Sequence, residues 1–230
     1  PERNKKFYSE KIINMPFSYQ CNNNRKEIST EHLSKEDHNL PVKGFIFSCF
    51  NANYKITPYE FDIWMRLLRN IKGSVLWLYK SNELAVKNIC KEAEKRDISP
   101  DRLIFAERIS LDQHLARHSL ADLALDTFNY NGHTTTSDAL WAGLPVLTKA
   151  GESFSARVSA SLLTTLGLSE LITNNENDYE KKALELANNS NKIADLKSYI
   201  RKEKYQSPLF DSKSFTVSLE KIYKELLQSK

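Results

Sequence analysis

The sequence has few of the residues that mark disulfide frameworks, metal centres and membrane spans. Only three of its 230 residues are cysteines, Cys21, Cys49 and Cys90, and they are far apart with no Cys-x-x-Cys pair. A disulfide framework or structural zinc site is therefore not expected, and a reducing compartment, the cytoplasm, is favoured. No apolar run approaches the roughly 20 residues needed to cross a bilayer, so no membrane partner is expected.

Charge of one sign is also scarce. Lys and Arg number 33 against 29 Asp and Glu, which gives a net charge of +4, and no block of like charges stands out. A solvated surface with a local anion site is expected rather than a nucleic-acid interface. The 40% hydrophobic content is enough for a normal core. The chain begins at Pro1 without a methionine or a secretory leader, which predicts a fragment of a longer protein.

From residue 43 onward, short apolar runs alternate with segments of helical periodicity. This alternation predicts an α/β fold, a Rossmann-like parallel sheet with helices on both faces. Capping boxes are predicted where Thr57 precedes Glu60 and where Ser110 precedes Gln113. The predicted strands are 45–50, 75–79, 103–105, 120–125 and 146–148. The predicted helices beyond Gly151 are 153–166, 176–188, 190–204 and 214–228.

The most informative segment is residues 131–145, NGHTTTSDALWAGLP. It follows an apolar run that ends in Asp126, and its pattern predicts a strand, a loop and a helix closed by Gly143. The first-turn N–H groups and the dipole of such a helix form an anion site, which Thr134, Thr135 and His133 could complete. Simple helix capping is the alternative reading of the two threonines.

Several motifs in one order resemble the O-linked N-acetylglucosamine transferase family, and the resemblance covers roughly residues 43–230. In that family this stretch is the C-terminal, nucleotide-binding lobe of a GT-B glycosyltransferase. The motifs are FNANYKITP at 50–58, SVLWL at 74–78, LAD at 120–122, LDT at 125–127, NGHTT at 131–135, DALWAGLP at 138–145, GE at 151–152, ARVSAS at 156–161, SPLF at 207–210 and, in the connector, YSEK at 8–11 with MP at 15–16.

The resemblance implies transfer of N-acetylglucosamine, or another hexose, from a UDP-sugar to Ser or Thr of an acceptor protein, with no metal or other cofactor. UDP-GlcNAc is the expected donor. The resemblance also implies a missing N-terminal catalytic lobe, usually preceded by tetratricopeptide repeats. Because the family's general-base candidates belong to that lobe, the isolated chain is expected to be inactive. The expected organisation is a connector (1–42), a nucleotide-sugar-binding domain (43–205) and a C-terminal helical extension (206–230).

The resemblance assigns catalytic roles beside the diphosphate to Lys55 and His133, and donor binding to Thr134 and Thr135. Breaking the sugar–phosphate bond puts negative charge on the diphosphate, and cations and hydrogen-bond donors stabilise that charge. Taken singly, Lys55 reads as a solvated lysine and His133 as a packing residue. The NGHTT motif around the two threonines favours the functional interpretation.

The resemblance assigns the nucleoside to a second group of residues. His114 and Arg117 share a helix face and would flank the uracil, and the backbone of Ile109 would hydrogen-bond it. Asp138 would bind a sugar or ribose hydroxyl. The alternatives are a cationic surface face for His114 and Arg117, and a favourable charge near a helix N-terminus for Asp138.

Two positions depart from the family pattern. Leu111 stands where relatives carry a lysine for the nucleotide, and Ala52 stands where they carry a glutamine near the diphosphate. Each lost contact would weaken donor binding by about 1 kcal/mol unless it is replaced, for example by Asn53. Three other functions therefore stay open: a non-catalytic nucleotide-sugar-binding module, a protein N-glucosyltransferase and a UDP-sugar epimerase of GT-B shape.

Overall fold

A six-stranded, wholly parallel sheet forms the centre of the computed structural model, which describes residues 2–228. Its strand order is β3-β2-β1-β4-β5-β6, so the chain builds one half of the sheet and then crosses over to build the other. This order confirms the predicted Rossmann-like fold. The strands are β1 (Ile46–Cys49), β2 (Val75–Tyr79), β3 (Leu103–Ala106), β4 (Leu123–Leu125), β5 (Val146–Lys149) and β6 (Ile172–Thr173).

Helices connect the strands and continue beyond the last one. The helices are α1 (Pro58–Asn70), α2 (Glu83–Glu94), α3 (Leu111–Arg117), α4 (Thr134–Ala142), α5 (Val158–Thr165), α6 (Glu176–Ala187), α7 (Ser190–Glu203) and α8 (Ser212–Gln228). None of the helices within residues 2–228 combines the length and the apolar character that a membrane span requires.

The central strands are buried on both faces, and their sequences are therefore continuous apolar runs. Every residue of β1 is buried, and Phe47, Leu76 and Trp77 have no exposed surface. Full burial of such a side chain stabilises the fold by roughly 1.5–3 kcal/mol. This core holds the carboxyl ends of β1 and β4 rigidly, and the loops that follow them are positioned accordingly.

Of the two predicted capping boxes, one is confirmed and one is wrong. At the start of α1, the Glu60 carboxylate accepts hydrogen bonds from the backbone N–H and the hydroxyl of Thr57, and Pro58 occupies the first helical position. At α3, the Ser110 hydroxyl donates to the side chain of Gln113 at 3.1 Å and does not cap the helix. The two polar side chains satisfy each other instead of the backbone.

Some predicted boundaries are also wrong. The helix predicted from residue 153 begins at Val158, because the Gly151 N–H donates to the Ala156 carbonyl and closes a turn first. Residues 118–120 form a 3-10 turn, so β4 is shorter than predicted. Strand β6 was not predicted, since two residues show no periodicity. The last helix begins two residues early, at Ser212.

The connector crosses the helices on one side of the sheet. It has 3-10 turns at Glu2–Phe7 and Glu36–His38 but no strand or α-helix in the part described. Its Phe17 carbonyl accepts from the Thr165 hydroxyl, and the Ser29 N–H donates to the Asp112 carbonyl. The connector therefore runs from α5 past α4 to α3.

Candidate nucleotide-sugar site

The loops that follow β1 and β4 meet at the centre of the sheet. These strands are neighbours, and the chain proceeds from them to opposite sides, to β2 and to β5. Ligands of parallel α/β sheets bind at the carboxyl ends of the strands where the order reverses in this way. Lys55 follows β1, whereas His133, Thr134, Thr135 and Asp138 follow β4, so the fold brings these predicted site residues to one edge.

The phosphate loop, defined here as residues 126–133, is organised by the buried carboxylate of Asp126. Its Oδ1 accepts from the backbone N–H groups of Gly132 (2.7 Å) and Thr127 (2.9 Å) and from the amide of Asn51 (3.1 Å), and its Oδ2 accepts from the Thr148 hydroxyl (2.7 Å). Burial raises the pKa of Asp126, and these hydrogen bonds oppose the rise. The loop is thus held in shape by the protein itself.

Gly132 is required where the phosphate loop approaches α4. A Cβ atom at this position would lie 2.6 Å from the Thr136 hydroxyl and 2.9 Å from Asn51 Oδ1. Neither neighbour moves easily, because Thr136 is hydrogen-bonded to the Ser159 hydroxyl at 2.8 Å. Glycine therefore permits the close contact between the loop and the first turn of the helix.

The hydroxyl residues at the start of α4 fall into two pairs. Thr136 and Ser137 are buried and serve the fold, since Ser137 donates to Asn22 of the connector at 2.6 Å. Thr134 is exposed and Thr135 is half-buried, and neither hydroxyl has a hydrogen-bond partner within residues 2–228. These two hydroxyls and the first-turn N–H groups are therefore available to an anion.

Lys55 lies against the phosphate loop. Its ammonium donates to the Asn131 carbonyl at 3.0 Å and stands 3.8 Å from the centre of the Tyr130 ring. Burial lowers the pKa of Lys55, while the Asp126 carboxylate opposes the shift. The ammonium is thus anchored by a carbonyl and an aromatic face. No carboxylate among the described residues is hydrogen-bonded to it, so it can still pair with an incoming phosphate.

His133 is surrounded by aromatic rings. The Tyr19 hydroxyl lies 2.9 Å from Nδ1, and the rings of Tyr130 and Phe154 lie 5.1 and 6.4 Å away. Nε2 is buried and has no hydrogen-bond partner among the described residues. Burial lowers the pKa of His133, helped by the positive charge of Lys55 and opposed by the Ser155 backbone. The imidazole is therefore neutral at physiological pH.

Arg117 is part of the core rather than a surface cation. Its guanidinium packs 4.9 Å from the Phe50 ring and 5.9 Å from the Trp77 ring, and it donates to the Glu107 carbonyl at 2.7 Å. Burial lowers its pKa to about 10. Its Nε has no partner among the described residues, so one donor of this cation is still unused.

The half-buried His114 and the buried His118 lie beside Arg117. The two imidazole rings lie 4.7 Å apart, and His114 is 5.3 Å from Phe50. Burial lowers the pKa of His114 to about 3, and the nearby His118 and Arg117 contribute to the shift. Burial likewise lowers the pKa of His118 to about 4. Both rings are neutral near pH 7, and the half-buried His114 ring offers a flat surface that suits stacking on a base.

Asp138 is paired with the connector. Its Oδ1 accepts from the Lys26 ammonium at 2.5 Å, and both side chains are largely buried, with 9% and 11% of their surfaces exposed. The Trp141 indole N–H donates to the Lys26 carbonyl at 3.0 Å and fixes this segment of the connector. No hydrogen bond to Oδ2 is formed within residues 2–228, so this oxygen can accept a bond from a hydroxyl.

The remaining predicted positions lie around the same edge. Ile109 is half-buried, and among the described residues its backbone groups make no hydrogen bond. Leu111 is 53% exposed at the start of α3. Asn53 does not compensate for Ala52, because its amide donates to the Tyr79 carbonyl at 3.0 Å and accepts from Ser81, both at the end of β2. Within residues 2–228 there is no cluster of three His, Cys, Asp or Glu side chains suited to a metal ion.

Comparison with known proteins agrees with this geometry. The model of glycosyl transferase family 41 matches residues 5–219. The chain belongs to this family. It is 34% identical over 222 residues, or 94% of this chain, to the probable UDP-N-acetylglucosamine–peptide N-acetylglucosaminyltransferase SEC of Arabidopsis thaliana. It is also 34% identical over 187 residues, or 81% of this chain, to the UDP-N-acetylglucosamine–peptide N-acetylglucosaminyltransferase of Caenorhabditis elegans.

Among solved structures, a mutant of the Thermobaculum terrenum O-GlcNAc transferase superimposes with a TM-score of 0.87 at 27% identity, covering 98% of this chain and 42% of that one. The predicted family and the predicted fold, a C-terminal GT-B lobe, are thereby confirmed. The family 41 chain spans only 23% of the Arabidopsis relative and 16% of the Caenorhabditis elegans relative.

Sequence reasoning missed several residues that shape this family 41 site. Asp126 and Asn51 each follow a buried strand, and a polar residue in that position could have indicated a role at the carboxyl end of the sheet. Tyr19 and Lys26 carry no such signal. Their partners lie 114 and 112 residues away in the sequence, so only the folded chain shows the contacts.

Proposed function

We propose that the chain is the UDP-sugar-binding part of a glycosyltransferase that transfers N-acetylglucosamine from UDP to Ser or Thr of proteins. The observation that carries this proposal is the N-terminus of α4. Within residues 2–228 the hydroxyls of Thr134 and Thr135 have no hydrogen-bond partner, and they directly follow His133 and the loop that the Lys55 ammonium contacts. Family membership and the printed activities of the relatives support the choice of donor and reaction.

The reaction breaks the bond between the anomeric carbon and the β-phosphate oxygen of UDP, while the acceptor oxygen bonds to that carbon. The departing UDP gains negative charge. The Lys55 ammonium, the hydroxyls of Thr134 and Thr135 and the first N–H groups of α4 stabilise that charge without a metal ion. Because the phosphate loop is fixed by Asp126, these donors need little rearrangement, which is the condition for strong electrostatic stabilisation.

The nucleoside extends from the diphosphate toward α3. The uracil stacks on the neutral His114 ring and contacts Arg117. The backbone N–H and carbonyl of Ile109, which make no hydrogen bond among the described residues, bind the polar edge of the base. Asp138 Oδ2 accepts from a ribose hydroxyl while Oδ1 stays with Lys26. The pairing is consistent with a carboxylate that orients a hydroxyl rather than one that moves a proton.

The rest of the enzyme lies outside this chain. The general base belongs to an N-terminal lobe, joined through the connector (1–42) to the nucleotide-sugar-binding domain (43–205) and the helical extension (206–230). We expect tetratricopeptide repeats before that lobe, an acceptor groove formed with it, and a cytoplasmic location, in keeping with the free thiols of Cys21, Cys49 and Cys90. The 230-residue chain alone should show no sugar transfer.

Calorimetry of the 230-residue chain with UDP tests this proposal. We expect saturable binding of UDP, and Lys55→Met should weaken it by about 10- to 100-fold, because a charged hydrogen bond contributes roughly 1.5–3 kcal/mol. Lys87→Met is the matched control, since Lys87 is an exposed lysine on α2. Absence of UDP binding at millimolar concentration, or equal affinity in the Lys55 and Lys87 variants, would contradict the proposal.

A non-catalytic nucleotide-sugar-binding module is the second candidate. It is favoured by Ala52 and Leu111, which supply no polar contact, and by the commitment of Asn53 to β2. A transfer assay with the full-length protein, UDP-GlcNAc, UDP-glucose and an acceptor protein separates the candidates. Binding without turnover supports the module. Sugar on asparagine would identify the N-glucosyltransferase, and an epimerised UDP-sugar in the absence of acceptor would identify the epimerase.

A further inference from the structure

Tyr19 of the connector contacts the phosphate loop at its last residue, His133. Its hydroxyl lies 2.9 Å from His133 Nδ1, and its ring packs edge-on against Phe154 with the ring centres 4.9 Å apart. The Gln20 side-chain oxygen is a weaker alternative partner at 3.5 Å. Two ring contacts and one short hydrogen bond therefore fix the side chain, although 43% of it is exposed.

The hydrogen bond between Tyr19 and His133 joins two neutral groups. Burial raises the pKa of Tyr19, as does the proximity of Tyr130, and burial lowers the pKa of His133. At neutral pH the phenol therefore keeps its proton and the imidazole keeps a lone pair. Because an imidazole nitrogen is a stronger acceptor than a phenol oxygen, the hydroxyl donates to Nδ1. The lone pairs of the Tyr19 oxygen then remain available as acceptors.

An open cleft of about 770 Å³ lies beside Tyr19. Tyr19, Phe154 and Arg157 line it, together with residues of the connector from Asn4 to Ser18. Its volume is within the range of small-molecule sites. His133 directly precedes Thr134 and Thr135, so a sugar attached to a phosphate at the start of α4 would lie on the side of the imidazole and of the hydroxyl bonded to it.

We propose that Tyr19 contacts the sugar of the donor, accepting a hydrogen bond from a sugar hydroxyl while its own proton is held by His133. This role rests on the proposed function, because it needs the diphosphate at the start of α4. It makes the connector part of the donor site and gives the chain a means of distinguishing a UDP-sugar from UDP.

The test compares the affinities of UDP and UDP-GlcNAc for the 230-residue chain and for Tyr19→Phe. The phenylalanine keeps the ring contacts with Phe154 and His133 and removes only the hydroxyl. We expect affinity for UDP-GlcNAc to fall about 5- to 10-fold, the effect of one hydrogen bond, and affinity for UDP to stay within twofold. Tyr223→Phe, a change at an exposed tyrosine on α8, should alter neither affinity.

Three results would overturn the assignment. An equal loss of affinity for UDP and UDP-GlcNAc would mean that Tyr19 only supports the phosphate loop through His133. No loss for either ligand would mean that the hydroxyl has no part in binding. Failure of the unmodified chain to bind UDP would instead refute the proposed function, and the Tyr19 role with it. Equal melting temperatures of the variants show that the fold is retained.

Discussion

The candidate site has a phosphate end, at Thr134 and Thr135, and a base end, at His114 and Arg117. The two ends differ in how far their polar groups are already bound by the protein. At the phosphate end, the hydroxyls of Thr134 and Thr135 make no hydrogen bond with any residue that the structure describes. At the base end, Arg117 already donates to the Glu107 carbonyl and packs against Phe50 and Trp77. Under the proposed function, the free hydroxyls of the first end serve a ligand, while the second end also stabilises the core. Changes to those two hydroxyls should therefore separate binding from stability, and changes at the base end should not.

The largest expected effect concerns the support of the phosphate loop. Asp126→Ala would leave two backbone N–H groups, the Asn51 amide and the Thr148 hydroxyl without their buried acceptor. We expect the free energy of unfolding to fall by about 3 kcal/mol or more, and UDP binding to be lost with the loop. Urea denaturation measures the first effect. The control is Asp195→Ala on the exposed face of α7, which should change stability by less than about 0.5 kcal/mol.

The base end should respond to acid. The pKa of His118 is about 4 in the folded chain against an ordinary value of 6.5. Below pH 6.5, His118 therefore binds a proton in the unfolded chain but not in the folded chain. The folded state loses stability as the pH falls from about 6.5 toward 4. The loss from His118 alone should approach about 3 kcal/mol. Urea denaturation across this range should show that the free energy of unfolding depends less steeply on pH in His118→Asn than in the unmodified chain. Identical slopes would refute the lowered pKa of His118.

The sharpest separation of binding from stability should come from Thr134→Val combined with Thr135→Val. The two hydroxyls make no hydrogen bond among the described residues, so stability should change by less than about 0.5 kcal/mol. UDP affinity should fall about 10- to 30-fold, at roughly 1 kcal/mol for each hydroxyl. Thr164→Val, on the exposed side of α5, is the control for calorimetry. A loss of stability without a loss of affinity would show that the hydroxyls cap the helix.

The smallest effect is expected from Leu111→Lys. Leu111 is 53% exposed at the first position of α3, so a lysine there displaces no core side chain, and under the proposed function its ammonium reaches the nucleotide. We expect UDP affinity to rise about three- to fivefold, at a stability cost of a few tenths of a kcal/mol from a cation near a helix N-terminus. Leu84→Lys, at a similarly exposed leucine in the first turn of α2, should show the stability cost without the gain in affinity.

Short-range pattern was enough to predict most of the sheet and the strand, loop and helix that carry the candidate site. The apolar runs at β1 and β4 and the sequence after Asp126 indicate a strand, a loop and a helix, because burial and helix capping act over a few residues. Strand β6 escaped prediction because two residues have no period. The start of α5 was misplaced because the turn between Gly151 and Ala156 depends on backbone geometry that serine-rich sequence does not specify.

The chemistry of the site was only partly predictable, for a physical reason. The residue types at Lys55, His133 and Thr134 suggest anion binding whatever surrounds them. Whether Arg117 lies at the surface or in the core depends on Phe50 and Trp77, which belong to other strands. The sequence pattern allowed both interpretations of Arg117, and its burial could be read only from the assembled sheet.

The Lys26–Asp138 pair limits how far this polypeptide can be shortened. Asp138 is 6% exposed, and the only cation hydrogen-bonded to it among residues 2–228 comes from the connector. A polypeptide started at residue 43 would keep every strand and helix of the sheet but would lose the Lys26–Asp138 ion pair and the Lys26 carbonyl that accepts from the Trp141 indole, so we expect it to be less stable than the 230-residue chain. The irregular leading segment therefore contributes to the stability of the lobe, and expression of the lobe should begin upstream of Lys26.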